Sequence, residues 1–249
     1  KVDNEATLVD TFGSPDSAST IDFHSAQYFL RYSGSLQVVR EATTSAKNAR
    51  STIGQTAVDS DGSLPIEFIK NEADFDAQQS ALDSDSHTFV AKYPGELGNG
   101  IKVSVCPANA TAWAAWAYAG SFPGQPGTSD YAEALGKSSA ADELHIAVID
   151  ETGVWSGKIG TVLETFEFLS QASDSKGTDG TSNYYKDVVN ARSAYIRWLA
   201  APAGLTDSGA AVPSLVTFTT VTAAVDASLS GGTDDNTPTV GEMDTALQL

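Results

Sequence analysis

The chain has 249 residues, 41% of them apolar and 18% charged, an ordinary globular mix that excludes a disordered polypeptide. Fourteen Lys and Arg stand against 32 Asp and Glu, a net charge of −18 with no basic cluster, which excludes a phosphate-binding nucleic-acid groove and an anionic membrane as partner. A single cysteine, Cys106, excludes an intrachain disulfide and a cysteine-based zinc cluster, and no apolar run approaches the length of a membrane helix.

The chain opens on Lys1 and reads as a processed product or a fragment. Residues 4–12 predict a short helix with Leu8, Val9 and Phe12 on one side, ended by Gly13-Ser14-Pro15. Thr20 is placed to cap a second helix carrying Phe23, Ala26, Gln27 and Leu30 at helical spacing. A turn at 32–35 leads into a strand at 36–40, where Val38 and Val39 imply burial on both faces. Residues 41–63, rich in Ala, Ser, Thr, Asp and Gly, read as a linker or exposed excursion.

A short strand is expected at 66–70, a helix at 72–82 with Phe75 and Leu82 inward, and a strand at 88–92. A turn-rich loop at 93–100 precedes a strand at 101–105 that alternates as if half-buried. Residues 107–141 read as surface loops anchored by Trp113, Trp116, Tyr118 and Phe122. Leu144 to Asp150 is the clearest strand; residues 161–169 form a second strand or a helix, and the pair suggests a hairpin with a long tip. A polar loop at 173–183 precedes a helix at 184–191 with Tyr185, Val188 and Val189 as its stripe. Strands follow at 195–199 and 215–221, then a sharp loop at 229–235 and a helix capped by Thr237 or Thr239. Helices and strands interleave without a βαβ rhythm, which predicts an α+β fold.

Motifs for chemistry are sparse. Gly153-Val154-Trp155-Ser156-Gly157-Lys158 falls one residue short of a phosphate-binding loop, and no serine sits in a nucleophile elbow. His24, His87 and His145 stand far apart; Asp83, Asp85 and His87 read as a solvated turn rather than a metal site. Asp59-Ser60-Asp61-Gly62-Ser63 starts like a calcium loop, but its glycine comes too early. Trp113 and Trp116 read as loop anchors before they read as a sugar platform. Asn109-Ala110-Thr111 is an isolated glycosylation sequon. The site expectation is therefore no catalytic residue, no cofactor and no metal.

The most distinctive string is structural. Tyr93, Pro94, Gly95, Glu96, Leu97 and Gly98, followed by Asn99 and a strand, resemble the hallmark of tail sheath proteins of contractile-tailed bacteriophages. Leu8-Val9-Asp10-Thr11-Phe12-Gly13 with Pro15, then Leu36 to Arg40, then Val148-Ile149-Asp150 with Val162 to Phe166 and Asn183 to Val188, and finally Leu229-Ser230-Gly231-Gly232 with Asp234, resemble the same family in collinear order. In the motif, Pro94 restrains φ while Gly95, Gly98 and Gly100 permit tight or left-handed backbone, joining two strands rigidly without a catalytic side chain.

The resemblance implies a non-enzymatic sheath subunit that stacks in rings around a tail tube and contracts to drive the tube through the host envelope. It implies neighbouring sheath subunits and the tube as partners, and a place in the virion's contractile tail after assembly in the host cytoplasm. The family's N-terminal arm and C-terminal core have no counterpart in this sequence, so the piece is expected to be monomeric alone. Residues 1–45 are assigned to an inner core of partial α/β character, 46–228 to an outward-facing β-rich insertion, and 229–249 to the return into the core. The alternative from another class is a secreted carbohydrate-binding or adhesin module carried by Trp113, Trp116 and Tyr118.

Overall fold

The computed structural model describes residues 1–15, 17, 19–40, 42, 45–51, 68–82, 88–199, 218 and 222–234. Helices are α1 (Glu5–Phe12), α2 (Thr20–Leu30), α3 (Glu72–Leu82), α4 (Ala110–Ala115), α5 (Asp130–Ala134) and α6 (Tyr185–Arg192). Strands are β1 (Phe89–Ala91), β2 (Ile101–Pro107), β3 (Glu143–Asp150), β4 (Thr161–Ser170), β5 (Ile196–Trp198) and β6 (Val225–Ser228). The fold is α+β, and its strand pairs are antiparallel.

The larger sheet has the order β4-β3-β2-β6. Its centre, β3, is buried at nearly every position because both faces of the sheet are covered. On one face Val103, Val105, Leu144, Ile146 and Val148 meet Tyr185, Val188 and Val189 of α6 and Phe89, Ile196 and Trp198 of the smaller sheet. On the other, Cys106, Ala147 and Ile149 meet Ala112, Trp116 and Phe122. Each fully buried aliphatic or aromatic side chain in these layers stabilises the fold by about 1.5–3 kcal/mol. The second covering layer corrects two expectations. Residues 107–141 are not surface loops but carry α4, α5 and a 3-10 turn at Ala119–Ser121, and β2 is not half-buried, since Ser104 lies under Trp116 with no exposure.

β1 pairs with β5 in the smaller sheet. The segment 46–51 extends it: Arg50 bridges Val90 on one side and Ser230 on the other, and Lys47 bridges Thr233. Ala46, Asn48, Ala49 and Ser51 are wholly buried, so this part of 41–63 is no linker. Asn48 completes the arrangement, accepting from Ile69 N–H at 2.7 Å and donating to the Ile69 and Ala91 carbonyls at 3.0 Å. Ile69 is thereby fixed in irregular backbone, where a strand at 66–70 was expected; positions 66 and 67 lie outside the described residues.

α1 begins at Asn4, whose side chain accepts from Thr7 N–H, and ends at Gly13 with φ 79°. α2 starts after Ser19, one residue before the expected cap, and buries no residue. The expected strand at 36–40 reduces to one bridge between Leu36 and Val2; Val38 is half-buried and Val39 is 54% exposed, not buried on both faces. No parallel strand pair occurs among the described residues of 1–45. Residues 161–169 prove to be strand, and β6 was not foreseen, because the alternation in VDAS spans only four residues and puts a small alanine at its buried position. The strand expected at 215–221 lies outside the described residues except for buried Phe218, and so does the helix expected after Thr237 or Thr239.

Candidate functional site

Loop 93–100 connects β1 to β2 and receives five other parts of the chain. Tyr93 is exposed and Pro94 buried. Gly95 has φ 130°, a value that L side chains rarely adopt, and its N–H donates to the Lys47 carbonyl at 2.9 Å. Glu96 opens a 3-10 turn running to Gly100, and its N–H donates to Asp234 Oδ1 at 3.3 Å. The same carboxylate oxygen holds Arg40 Nη2 at 3.2 Å. Leu97 rests against Gly13 at the end of α1, and its carbonyl accepts from Trp155 Nε1 at 3.1 Å.

Gly98 and Gly100 depart from the expected role: neither has positive φ, and both are glycine because of space. A Cβ on Gly98 would lie 2.7 Å from Ala91 Cβ and 2.8 Å from Ala49 Cβ; one on Gly100 would lie 2.6 Å from Thr152 Oγ1 and from Val154 Cγ2. Between them, Asn99 makes a reciprocal pair with Gly232, donating at 2.9 Å and accepting at 2.8 Å. The loop thus clamps the end of α1, Arg40, the 47–49 segment, the β3–β4 hairpin tip and the returning 232–234 segment.

The hairpin tip is built on Asp150. Its buried carboxylate accepts from Gly153 N–H at 2.7 Å, Trp155 N–H at 3.1 Å, Ser156 N–H at 2.7 Å and Ser156 Oγ at 2.8 Å. Burial alone would push its pKa up; the bonds from Ser156, Gly153 and Trp155 outweigh that and hold it below the usual aspartate value. The string that nearly matched a phosphate loop therefore spends its N–H groups on the protein's own carboxylate. Lys92, just before the loop, donates its ammonium to the Ser193 carbonyl, and burial followed by the nearby Arg197 charge pushes its pKa down.

The remaining candidates separate. Trp116 is buried with its indole N–H on Ser104 Oγ at 2.7 Å, and Trp113 packs on Trp116 and His145, so this pair gives its ring area to the core rather than to a sugar platform. Asn109 caps α4 through Thr111 and Ala112 N–H. Asp83, Asp85, His87 and residues 59–63 lie outside the described residues. Among the described residues no group of three or more His, Cys, Asp or Glu is placed to hold a metal, and no helix is long and apolar enough to cross a membrane. Sequence reasoning singled out the loop but not its partners: Asn99–Gly232 and Arg40–Asp234 join residues more than 130 positions apart, and their one sequence trace is the Gly-Gly-Thr-Asp string.

No family model matches the chain. It is similar to a tail sheath protein of Salmonella phage ViI, with 31% identity over 158 residues, covering 64% of this chain and 21% of that protein. The chain therefore spans about a fifth of the length of the curated relative it matches.

Proposed function

We propose that this chain is the middle, outward-facing portion of a contractile phage tail sheath subunit, a structural element without catalytic activity. The observation that carries the reading is the 31% identity to a tail sheath protein over 158 residues. The clamped loop supports it, because a subunit that transmits force needs a rigid junction and the loop's interactions are structural. The domain division is supported by the way the chain enters and leaves: Lys47 and Arg50 lie beside Thr233 and Ser230, as the two ends of an inserted unit must. Residues 1–45 and 229–249 then belong to an inner core, with 46–228 projecting outward.

In the assembled tail its partners are neighbouring sheath subunits and the tail tube, and its place is the virion. Contraction is a change between two sets of subunit interfaces, with the work summed over many copies rather than drawn from nucleotide hydrolysis. Alone, the charge of −18 opposes self-association, so sedimentation should give one species at 25.9 kDa. The test of place is immunogold microscopy with an antibody against this chain on phage particles of its source. Label along the full tail length supports the proposal; label confined to fibres or baseplate overturns it.

A further inference from the structure

His145 lies fully buried on the covered second face of the larger sheet. Phe122 stacks on it at 4.6 Å, Trp116 at 6.4 Å, and Trp113 and Phe168 meet it edge-on at 5.7 and 4.6 Å. Both ring nitrogens are committed. Phe168 N–H donates to Nδ1 at 2.9 Å, so the ring proton sits on Nε2, which faces the Gly124 carbonyl at 2.8 Å. Phe168 is held at φ 49°, where the β3–β4 register shifts between Leu144 and Ile146. One imidazole therefore ties the β4 irregularity to the end of the segment that carries α4 and its aromatic rings.

We propose that residues 110–127 form an acid-released flap over the sheet, with His145 as its latch. A second ring proton would set Nδ1–H against Phe168 N–H, two donors facing each other, and would place a charge in an apolar layer. The stacked ring faces return part of that cost through cation–π attraction but cannot relieve the opposed donors. Burial accordingly lowers the pKa of His145, with Gly124 and Glu167 acting against the shift. The elements around it add little charge. Glu167 comes from β4, α4 and the turn after it present neutral rings, and across the ladder on β2 stands Cys106, whose thiol is pushed up to about 12 by burial.

On β3 itself, Glu143 shares the face and accepts from Gly127 N–H at 2.8 Å. Burial raises its pKa, opposed by the Gly127 bond and assisted by Asp142, Asp130 and Glu133. The two groups act in opposite senses. His145 favours the closed flap above its free value of 6.5, and that contribution is lost progressively as pH falls below 6.5 and through the lowered value. Glu143 favours the closed flap increasingly as it gains its proton, and so damps the response.

The experiment is hydrogen exchange on the whole chain at about pH 7.5 and about pH 5.5, expressed as protection factors. Between those values a histidine that titrates lower when latched than when released lowers protection, by up to about tenfold. The loss should appear across 110–127 and at Phe168, while the β2–β3 ladder is unchanged. His145→Gln can donate and accept but not titrate in this range, and should abolish the response; Glu143→Gln should keep or enlarge it. Protection independent of pH in the unmodified chain, or an equal response in His145→Gln, overturns the proposal. If His145→Gln does not fold, the ring carbon shifts of His145 in the unmodified chain decide: titration below about 6.5 supports the latch, and titration at or above it refutes it.

Discussion

Replacing Gly98 by alanine tests whether the loop is clamped as tightly as it is drawn. The new methyl would sit 2.7 Å from Ala91 Cβ and 2.8 Å from Ala49 Cβ, against an ordinary carbon–carbon contact of about 3.5–4.0 Å. Neither neighbour can rotate aside, because a Cβ is fixed to its backbone. β1 and the 46–51 segment must therefore separate by about 1 Å, or the loop must lift away from Asn99's bonds to Gly232. Overpacking of this kind costs about 1–3 kcal/mol. For a chain of this size that is a fall in melting temperature of about 3–10 °C. Thermal and urea unfolding followed by circular dichroism would measure it. A double-mutant cycle with Ala91→Gly should return about 1 kcal/mol of favourable coupling, since it opens one side of the space. Gly120→Ala, where a Cβ meets nothing within 4 Å and φ is not positive, should stay within about 0.5 kcal/mol. An unchanged melting temperature for Gly98→Ala, or no coupling to Ala91, would show that the close approach does not constrain the fold.

Three further outcomes follow from the same geometry. Asp150→Ala should cost about 2–3 kcal/mol by stranding the N–H groups of Gly153, Trp155 and Ser156. Because its carboxyl pKa is lowered on folding, that contribution is present above the usual value of 3.8 and lost as pH falls further through the folded value; unfolding of native and variant chains compared at pH 7 and at about pH 2 would show the gap close. Asn99→Ala should cost about 1–2 kcal/mol and speed hydrogen exchange at Gly232 N–H, with equal exchange in both chains refuting the pair. Amides of α2, which buries no residue, should exchange far faster than those of β3, and equal protection would refute the separation of 1–40 from the centre of the core.

Local chemistry in the sequence determined a good part of this protein. The run from Leu144 to Asp150 is apolar enough to be a central strand, Glu72 to Leu82 is helical with Phe75 buried, and Tyr185, Val188 and Val189 share the buried stripe of α6. The Pro-Gly loop was legible as rigid because proline and glycine restrict or release backbone angles wherever they occur. Tertiary structure decided the rest. Ala46, Asn48, Ala49 and Ser51 are small or polar and carry no hydrophobic pattern, yet they are buried because the gap beside β1 is narrow and Asn48 satisfies the backbone groups lining it. Gly98 is dictated by two methyl groups brought to it from elsewhere in the chain, not by its own φ. Whether a polar face is exposed, as expected for β2, depends on what is packed over it, and Trp116 covers Ser104 from a segment whose composition reads as loop. Periodicity reports which residues lie on one face of an element; only the packing of other elements against that face determines whether it meets water, a neighbour or a clamp.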